Sequence, residues 1–458
     1  MIIIGFGSIG EGFLPLLLRH IDLQPQQITI ITADGRGADE AKEYGVEFIV
    51  VPVTQENYRD VLEHRLSKGD VIINVSVEVS TIALIELCQE KGAFYIDTMI
   101  EIWPGNFSSL PVAERTAYTL RKDALDYLRP KYPKGTTALL THGANPGLVN
   151  HFFKQALLNV ARDTGLKSAM PKTREEWAKL SEKLGIKVIH VAERDSQVSP
   201  QQKQLGEFVN TWSIDGFFDE SFQQPAELGW GTHEKQLPAD GFHHKSGSRA
   251  AIYIDRPGSE TLVRSWTPLE GPYHGLLVSH YESISLPEYF SVYEGDKLRY
   301  RPTCHYAYHP CDAALLSIKE LNASGNLQDK KRLIMDEITE GMDELGVLLL
   351  GNAKCCYWYG SRLTIAETRR LIPYNNATSL QVTASVLAGV IWVLENPNHG
   401  VVEADDADFE RILEIASPYL GDMVGVWGDW TPLQSREPLP HEELDASDPW
   451  QFTNMLVA

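Results

Sequence analysis

The sequence predicts an α/β protein: a doubly wound parallel sheet that carries an inserted α+β domain. Three observations lead there. Apolar runs of strand length alternate with helical patterns over the first 145 residues. The first run enters the glycine-spaced turn Gly5-Phe6-Gly7-Ser8-Ile9-Gly10 and then a helix, the opening of a Rossmann-type fold. After Pro146 the alternation gives way to strand-like segments separated by long loops rich in Gly, Pro, His and aromatics.

In the first part, strands are expected at Ile2–Gly5, Ile28–Ile31, Phe48–Val51, Val71–Val75, Phe94–Ile96 and Ala138–Thr141. They are near-continuous apolar runs, as strands buried on both faces must be. Helical patterns at Leu14–His20, Glu56–Leu66, Thr81–Lys91 and Arg115–Leu128 supply the crossovers. A helix over Gly147–Ala161 follows, then one begun by Thr173 with Glu176 three residues on as a capping box. Strand-like segments come next at Lys187–Ala192, Gly206–Ser213, Ala250–Ile254, Thr261–Thr267 and Gly275–Leu286. Pro225–His244 and Arg301–Asp312 read as functional loops. Helices are expected at Lys330–Gly341, Ile365–Leu371 and Asn376–Leu394, the last apolar, with small residues suited to close packing. The Pro- and acid-rich end from Thr431 reads as a surface wrap. The expected units are 1–145 for dinucleotide binding, 146–375 for substrate and dimerisation, and 376–458 returning to the first.

Lys and Arg number 41 and Asp and Glu 62, a net charge of −21. This opposes a nucleic-acid binder or a protein docked on anionic lipid, and it favours cationic small ligands. The five cysteines are odd in number and contain no C-x-x-C pair, so a reducing cytoplasm is expected. No signal peptide is expected, and no apolar run reaches the roughly 18 residues of a membrane span.

The glycine motif points to a dinucleotide. Gly5 makes the tight turn, Gly7 admits the pyrophosphate, and Gly10 lets helix and strand pack closely. Ser8 and Ile9 open the helix, whose free N–H groups face the phosphates. The second strand ends in Thr32-Ala33-Asp34-Gly35-Arg36, with Thr32 where an acid usually holds the ribose. Asp34 suits a 2′-hydroxyl and Arg36 a 2′-phosphate; NAD is the expectation, with NADP left open. Asn74 and Ser76 follow the fourth strand and Thr98 the fifth, where strand ends meet a cofactor. Asn145 and Pro146, in His142-Gly143-Ala144-Asn145-Pro146-Gly147, end the last strand of this part, with Asn145 placed for the nicotinamide or an attacking amine.

The chain resembles the bacterial homospermidine synthases, within the saccharopine-dehydrogenase-like group. The matching strings are Gly5–Gly10, His142–Gly147, Ile189–Asp195, Asn210–Ser213, Pro225–Thr232, Arg301–Cys311, Asp429–Leu433 and Ser447–Phe452. Two departures stand out: the chain enters the first strand directly, and Thr32 replaces the ribose acid. The resemblance implies NAD-dependent aminobutyl transfer between two putrescines. Hydride leaves the amine-bearing carbon, the second diamine attacks the imine, ammonia departs, and the retained hydride returns to give sym-homospermidine. It also implies a homodimer, expected through the exposed face of the inserted sheet.

This chemistry calls for carboxylates to hold ammonium groups, an aromatic face for an iminium, and a proton carrier. Glu101, Glu193 and Asp343 are the candidate substrate holders, with Glu344 the alternative to Asp343. Trp212 is the candidate cation–π face. Glu220 is the second expected carboxylate, with Asp219 and Asp215 as rivals. His280 and Glu282, two apart on an expected strand, would share a face and form the catalytic base. Five acids without an arginine favour a diamine over an amino acid. The rival is a carboxynorspermidine- or saccharopine-type NAD(P)-dependent reductive-amination dehydrogenase, whose mark would be an arginine at the mouth, Arg194 or Arg264. No metal site is expected; the Cys304-His305 to His309-Cys311 stretch fits no common zinc spacing and reads as a packed loop. His243 and His244 read as solvated.

Overall fold

The computed structural model describes residues 1–105, 107–436 and 444–457. Its first sheet has seven strands, all parallel, in the spatial order Val401–Glu403, Ala138–Leu140, Phe94–Asp97, Val71–Asn74, Ile2–Ile4, Thr29–Thr32 and Glu47–Val50. The order reverses between Ile2–Ile4 and Val71–Asn74, so a crevice opens at the carboxyl ends of those two strands. Ile3, Ile30 and Ile73 point to one face, against helices Ser8–His20 and Ala377–Glu395. Ile2, Ile4 and Ile72 point to the other, against Thr81–Lys91 and the end of Ala117–Lys131. The period of two along each strand thus serves two helical layers.

The second sheet has ten strands. Its main path runs Gly241–His243, Ala251–Pro257, Pro225–Gly229, Thr303–His309, Val188–Asp195, Met342–Asn352, Cys355–Thr364 and Asp422–Gly428, and the hairpin Leu262–Thr267/Gly271–Leu276 joins it at Tyr308. Thr303–His309 and Val188–Asp195 pair in parallel, and both are almost wholly buried. Helix Leu148–Asp163 packs on one side of this sheet, while Trp430, Phe452 and Met455 pack on the other.

Several expectations are corrected here. Arg301–Asp312 is not a loop but holds the central strand Thr303–His309. Its alternation puts Cys304, Tyr306 and Tyr308 in one core and Ala307 in another. Lys330–Gly341 is not a helix; Lys330–Leu333 is a strand parallel to Glu207–Asn210. Gly275–Leu286 is not one strand: the strand stops at Leu276 and helix Glu282–Tyr289 begins six residues later. The final strand Asp422–Gly428 and the segment after it lie on the second sheet, not the first. Residues 437–443 and 458 of the expected surface wrap lie outside the described residues. Both faces of the second sheet are covered at its centre, so it offers no bare face there for a partner. Helix Ala377–Glu395 is long and apolar enough to cross a membrane, but 83% of that window is buried inside the protein. His244 is buried and bonds Glu227 at 2.9 Å, whereas His243 is exposed.

One buried ion cluster ties the parts together. Arg121, on helix Ala117–Lys131, donates to Glu403 at 2.6 and 2.8 Å and to Glu288 at 2.6 Å. Glu403 ends the last strand of the first sheet and Glu288 lies on helix Glu282–Tyr289, so one guanidinium links three elements. Removing it leaves Glu403, which is 4% exposed, with the partly exposed Arg129 at 3.2 Å as its remaining ion-pair partner among the described residues. Arg121→Met is expected to cost about 3 kcal/mol in a denaturant melt. A loss under about 1 kcal/mol would mean that Arg129 alone compensates Glu403.

Candidate active site

Two connected cavities occupy the crevice. The larger, of about 470 Å³, is lined by Gly5 to Ile9, Thr32, Asp34, Arg36, Ser76 and residues from the neighbouring loops. Gly5 has φ +87°, and a Cβ there would stand 2.8 Å from the Ser76 backbone. The first turn therefore needs glycine for both conformation and space. A Cβ on Gly10 would meet Gly5 O at 2.8 Å, so that glycine brings helix and strand together rather than lining the cavity. A Cβ on Gly7 would meet nothing within 4 Å and would project into open space. A bare backbone turn, a helix N-terminus and this volume suit a dinucleotide pyrophosphate. Asn74 is corrected in role: it is buried beneath the loop, and its Oδ1 accepts from the Ser76 hydroxyl at 2.6 Å.

The smaller chamber, about 140 Å³, shares Ile9, Val75, Ser76, Val77 and Ser213 with the larger. It is far smaller than a drug-sized pocket and suits a slender molecule lying against one end of a dinucleotide. Its walls include Thr98, Glu101, Asn145, Pro146, Glu193, Trp212, Glu220 and His280. With Ile9 and Ser76, ten of the expected site residues, drawn from both parts of the chain, meet in one place. Among the described residues, its lining contains three carboxylates and no Arg or Lys. Arg194 instead pairs with Glu270 at 3.3 Å, and Arg264 donates to Leu456 O at 2.8 Å.

The charged groups hold one another. Glu193 lies within strand Val188–Asp195 and is 2% exposed. Its Oε2 accepts from the Tyr306 hydroxyl at 2.5 Å and from Asn145 Nδ2 at 3.0 Å. Burial, aided by nearby Asp195, pushes its pKa up to about 7. Glu101 is likewise pushed up to about 8, by burial and then by Asp219 and Glu220, although the Glu78 backbone N–H donates to it at 2.9 Å. Burial outweighs what their neighbours supply, including the nearby His280 at Glu193, and an ammonium would supply more counter-charge.

His280 lies between two carboxylates, with Nε2 3.0 Å from Glu220 and Nδ1 3.3 Å from Glu282. Burial would lower its pKa, but the two acids outweigh that and raise it to about 10. At neutral pH it is an imidazolium donating from both nitrogens. The expected pairing with Glu282 is present, but its basis is corrected. His280 lies in the irregular segment after strand Gly271–Leu276 and Glu282 is the first residue of a helix, so no strand alternation aligns them. Glu282 is fully buried behind the ring and does not line the chamber.

Trp212 follows strand Glu207–Asn210 in a bend, not within a strand. Its Nε1 donates to the Tyr308 hydroxyl at 2.9 Å, and Phe217 meets it edge-on at 5.6 Å. Asp343 is also corrected: it lies behind Glu193, outside the lining, and accepts from the Thr378 hydroxyl at 2.5 Å. Burial and the neighbouring Glu193 and Asp195 carboxyls hold its pKa well above the ordinary range. Glu344 turns elsewhere and accepts from Leu269 N at 3.2 Å. Asp215 pairs with Lys331 and Asp219 with Gln223, both outside the chamber.

Sequence reasoning missed Tyr306, Thr378 and Ser213, all chamber walls. Tyr306 was legible in principle: the Thr303–His309 alternation places Tyr306 and Tyr308 on one face, where their rings stack at 5.3 Å. Thr378 comes from a helix distant in sequence, and nothing local marks it.

Two family models cover the chain: the saccharopine dehydrogenase NADP binding domain over residues 1–139 and the saccharopine dehydrogenase C-terminal domain over residues 143–429. The homospermidine synthase of Blastochloris viridis is 50% identical over 464 residues, covering 100% of this chain and 97% of that protein. The homospermidine synthase of Mesorhizobium japonicum is 48% identical over 469 residues, covering 100% and 96%. The crystal structure of the Legionella pneumophila homospermidine synthase, in complex with NAD, superposes with a TM-score of 0.94 at 50% identity, covering 100% of this chain and 97% of that one. Identity at this level along the whole length, with the same fold around the same crevice, decides the matter: the chain belongs to the homospermidine synthase family, within the saccharopine-dehydrogenase-like proteins.

Proposed function

We propose that this protein is an NAD-dependent homospermidine synthase that joins two putrescines and releases ammonia. The observation that carries this reading is the chamber itself: three carboxylates, aromatic faces and no Arg or Lys, opening onto a glycine cradle. The one cation on the wall, His280, is already held by Glu220 and Glu282, so a substrate carboxylate finds no free cationic partner, whereas a diamine finds several acceptors. The acid-rich lining without Arg or Lys therefore disfavours the carboxylate-handling dehydrogenases.

When bound, NAD accepts hydride from the amine-bearing carbon and returns it to the coupled imine, so none is consumed. The chain does the rest. Gly5 to Ile9 cradle the pyrophosphate, and Thr98, Asn145 and Pro146 border the nicotinamide end. Glu193, oriented by Tyr306 and Asn145, holds one ammonium, and Glu101 holds another. Asp343 supports Glu193 from behind. Trp212 presents its indole face to the iminium carbon. Because His280 already carries its proton, the sequence-based role of base moves to Glu220, the carboxylate that His280 fixes at the wall. Glu220 takes a proton from the attacking ammonium, and the free amine adds to the iminium carbon. A proton then passes from the added nitrogen to the departing amino group, which leaves as ammonia with the C–N bonding pair and so forms the coupled iminium; the proton held by Glu220 is taken up by the freed ammonia. The family also suggests a homodimer, which sedimentation of the purified protein tests.

The decisive experiment supplies putrescine with catalytic NAD⁺ and follows amines by mass spectrometry and NADH by absorbance. The expected result is homospermidine in excess of the NAD supplied, with no net NADH. NADH formed in proportion to amine consumed, without a coupled product, would overturn the synthase reading.

A further inference from the structure

The dinucleotide cavity holds an arrangement that bears on which dinucleotide enters. The family model names an NADP binding domain, yet the Legionella relative holds NAD, so the choice is made locally within one fold. The usual ribose acid is absent, because strand Thr29–Thr32 ends in Thr32. Two residues later, Asp34 accepts from the Arg36 backbone N–H at 2.9 Å. The Arg36 side chain returns to the same carboxylate, with Nε at 3.1 and 3.0 Å from its two oxygens and Nη2 at 2.8 Å. Both residues line the dinucleotide cavity.

As a surface ion pair this contact stabilises the fold little. Its effect is on what Arg36 is free to bind. A 2′-phosphate carries nearly two negative charges and needs a guanidinium edge turned toward it. Here that edge is occupied, and a phosphate reaching it would also meet the Asp34 carboxylate. Asp215 and Glu11 lie close enough to stabilise the Arg36 charge further. Lys331, the other cation lining the cavity, is ion-paired with Asp215. Neither cation is therefore unpaired. A 2′-hydroxyl faces the opposite balance, since it can donate to a carboxylate oxygen.

We infer that Asp34 selects NAD over NADP by holding Arg36 in an ion pair, and that Arg36 is a latent 2′-phosphate site kept closed by that pair. The inference rests on the dinucleotide reading of the cavity given above. It makes Asp34 the switch even though it lies two positions beyond the usual acid.

The test is fluorescence titration of NADH and NADPH on the purified protein, on Asp34→Asn and on the double variant Asp34→Asn/Arg36→Ala. The wild type should bind NADH more tightly. Asp34→Asn should move the affinity ratio toward NADPH by at least about tenfold, and 0.5 M salt should shrink that gain. The double variant should lose the gain. An unchanged ratio in Asp34→Asn, or a gain that persists without Arg36, would overturn the inference while leaving the dinucleotide reading intact. A wild type that binds neither dinucleotide would overturn that reading as well.

Discussion

Glu220→Gln is expected to lower turnover by about 10²–10⁴-fold while NADH binding stays close to wild type and the melting temperature at pH 6.5 falls by the share that the Glu220–His280 pair supplies. Gln keeps the volume, and its carbonyl can still accept from His280, so the wall keeps its shape. It cannot take a proton from the attacking ammonium. The second consequence concerns His280, whose pKa is raised to about 10 against burial by two acids, one of which the variant neutralises. A histidine with a raised folded-state pKa adds stability that is fully present below its unfolded value, about 6.5, and is lost as pH rises through about 10. Wild type should therefore lose stability between those values. The variant should lose its smaller share earlier. Glu193 and Glu101, raised to about 7 and about 8, add a decline of the same sign that begins near their unfolded value and is complete by about pH 8. Comparing melts of wild type and variant above pH 8 isolates the histidine. Full activity in Glu220→Gln would move the acceptor to another chamber carboxylate, Glu101 or Glu193, and identical pH curves would mean that Glu220 does not hold the His280 proton.

The first sheet was legible because its strands are short, apolar and regularly separated, and because Gly5, Gly7 and Gly10 mark one turn that few other structures need. The second sheet was harder to read. Its longest hairpin, Met342–Asn352 with Cys355–Thr364, was missed altogether. Gly346 and Gly360 look like breakers in the sequence, yet each sits against the Trp358 ring, where a Cβ would come within 2.4 to 2.8 Å of it. Glycine there makes room for the indole, and only the fold shows this. Gly275–Leu286 failed for another reason: an unbroken apolar stretch does not distinguish strand from buried helix. The candidate site fared better than its elements. Glu193, Trp212, Glu220 and His280 do meet, although two of the four sit on different structures from those expected. Their convergence depends on long-range pairing, such as Thr303–His309 beside Val188–Asp195, which no local pattern announces. Charge state was the least legible of all. The sequence places one acid near His280; only the fold brings Glu220 to its other nitrogen, and the two acids together favour the protonated ring.

Trp212→Ala is expected to lower turnover by about 10²-fold with little change in NADH affinity. A desolvated cation over an indole is worth about 2 kcal/mol, or roughly 30-fold, and the rest of the loss comes from water entering the emptied volume and from lost alignment of the reacting carbon. The ring is well placed to act as a wall. Its Nε1 is tied to Tyr308, Phe217 supports it edge-on, and it borders the same chamber as Glu193 and Glu220. Trp212→Phe separates the contributions: it keeps an aromatic face but loses the bond to Tyr308, and should fall between wild type and alanine. If the iminium contact governs the rate, kcat should fall more than KM for putrescine rises, because the ground-state diamine is held by its ammonium ends at Glu193 and Glu101. A variant that raises KM and leaves kcat alone would make Trp212 a binding surface. Unchanged kcat and KM in Trp212→Ala would remove it from the mechanism, leaving Tyr306, whose ring centroid lies 4.4 Å from that of His280, as the remaining aromatic face for the cation.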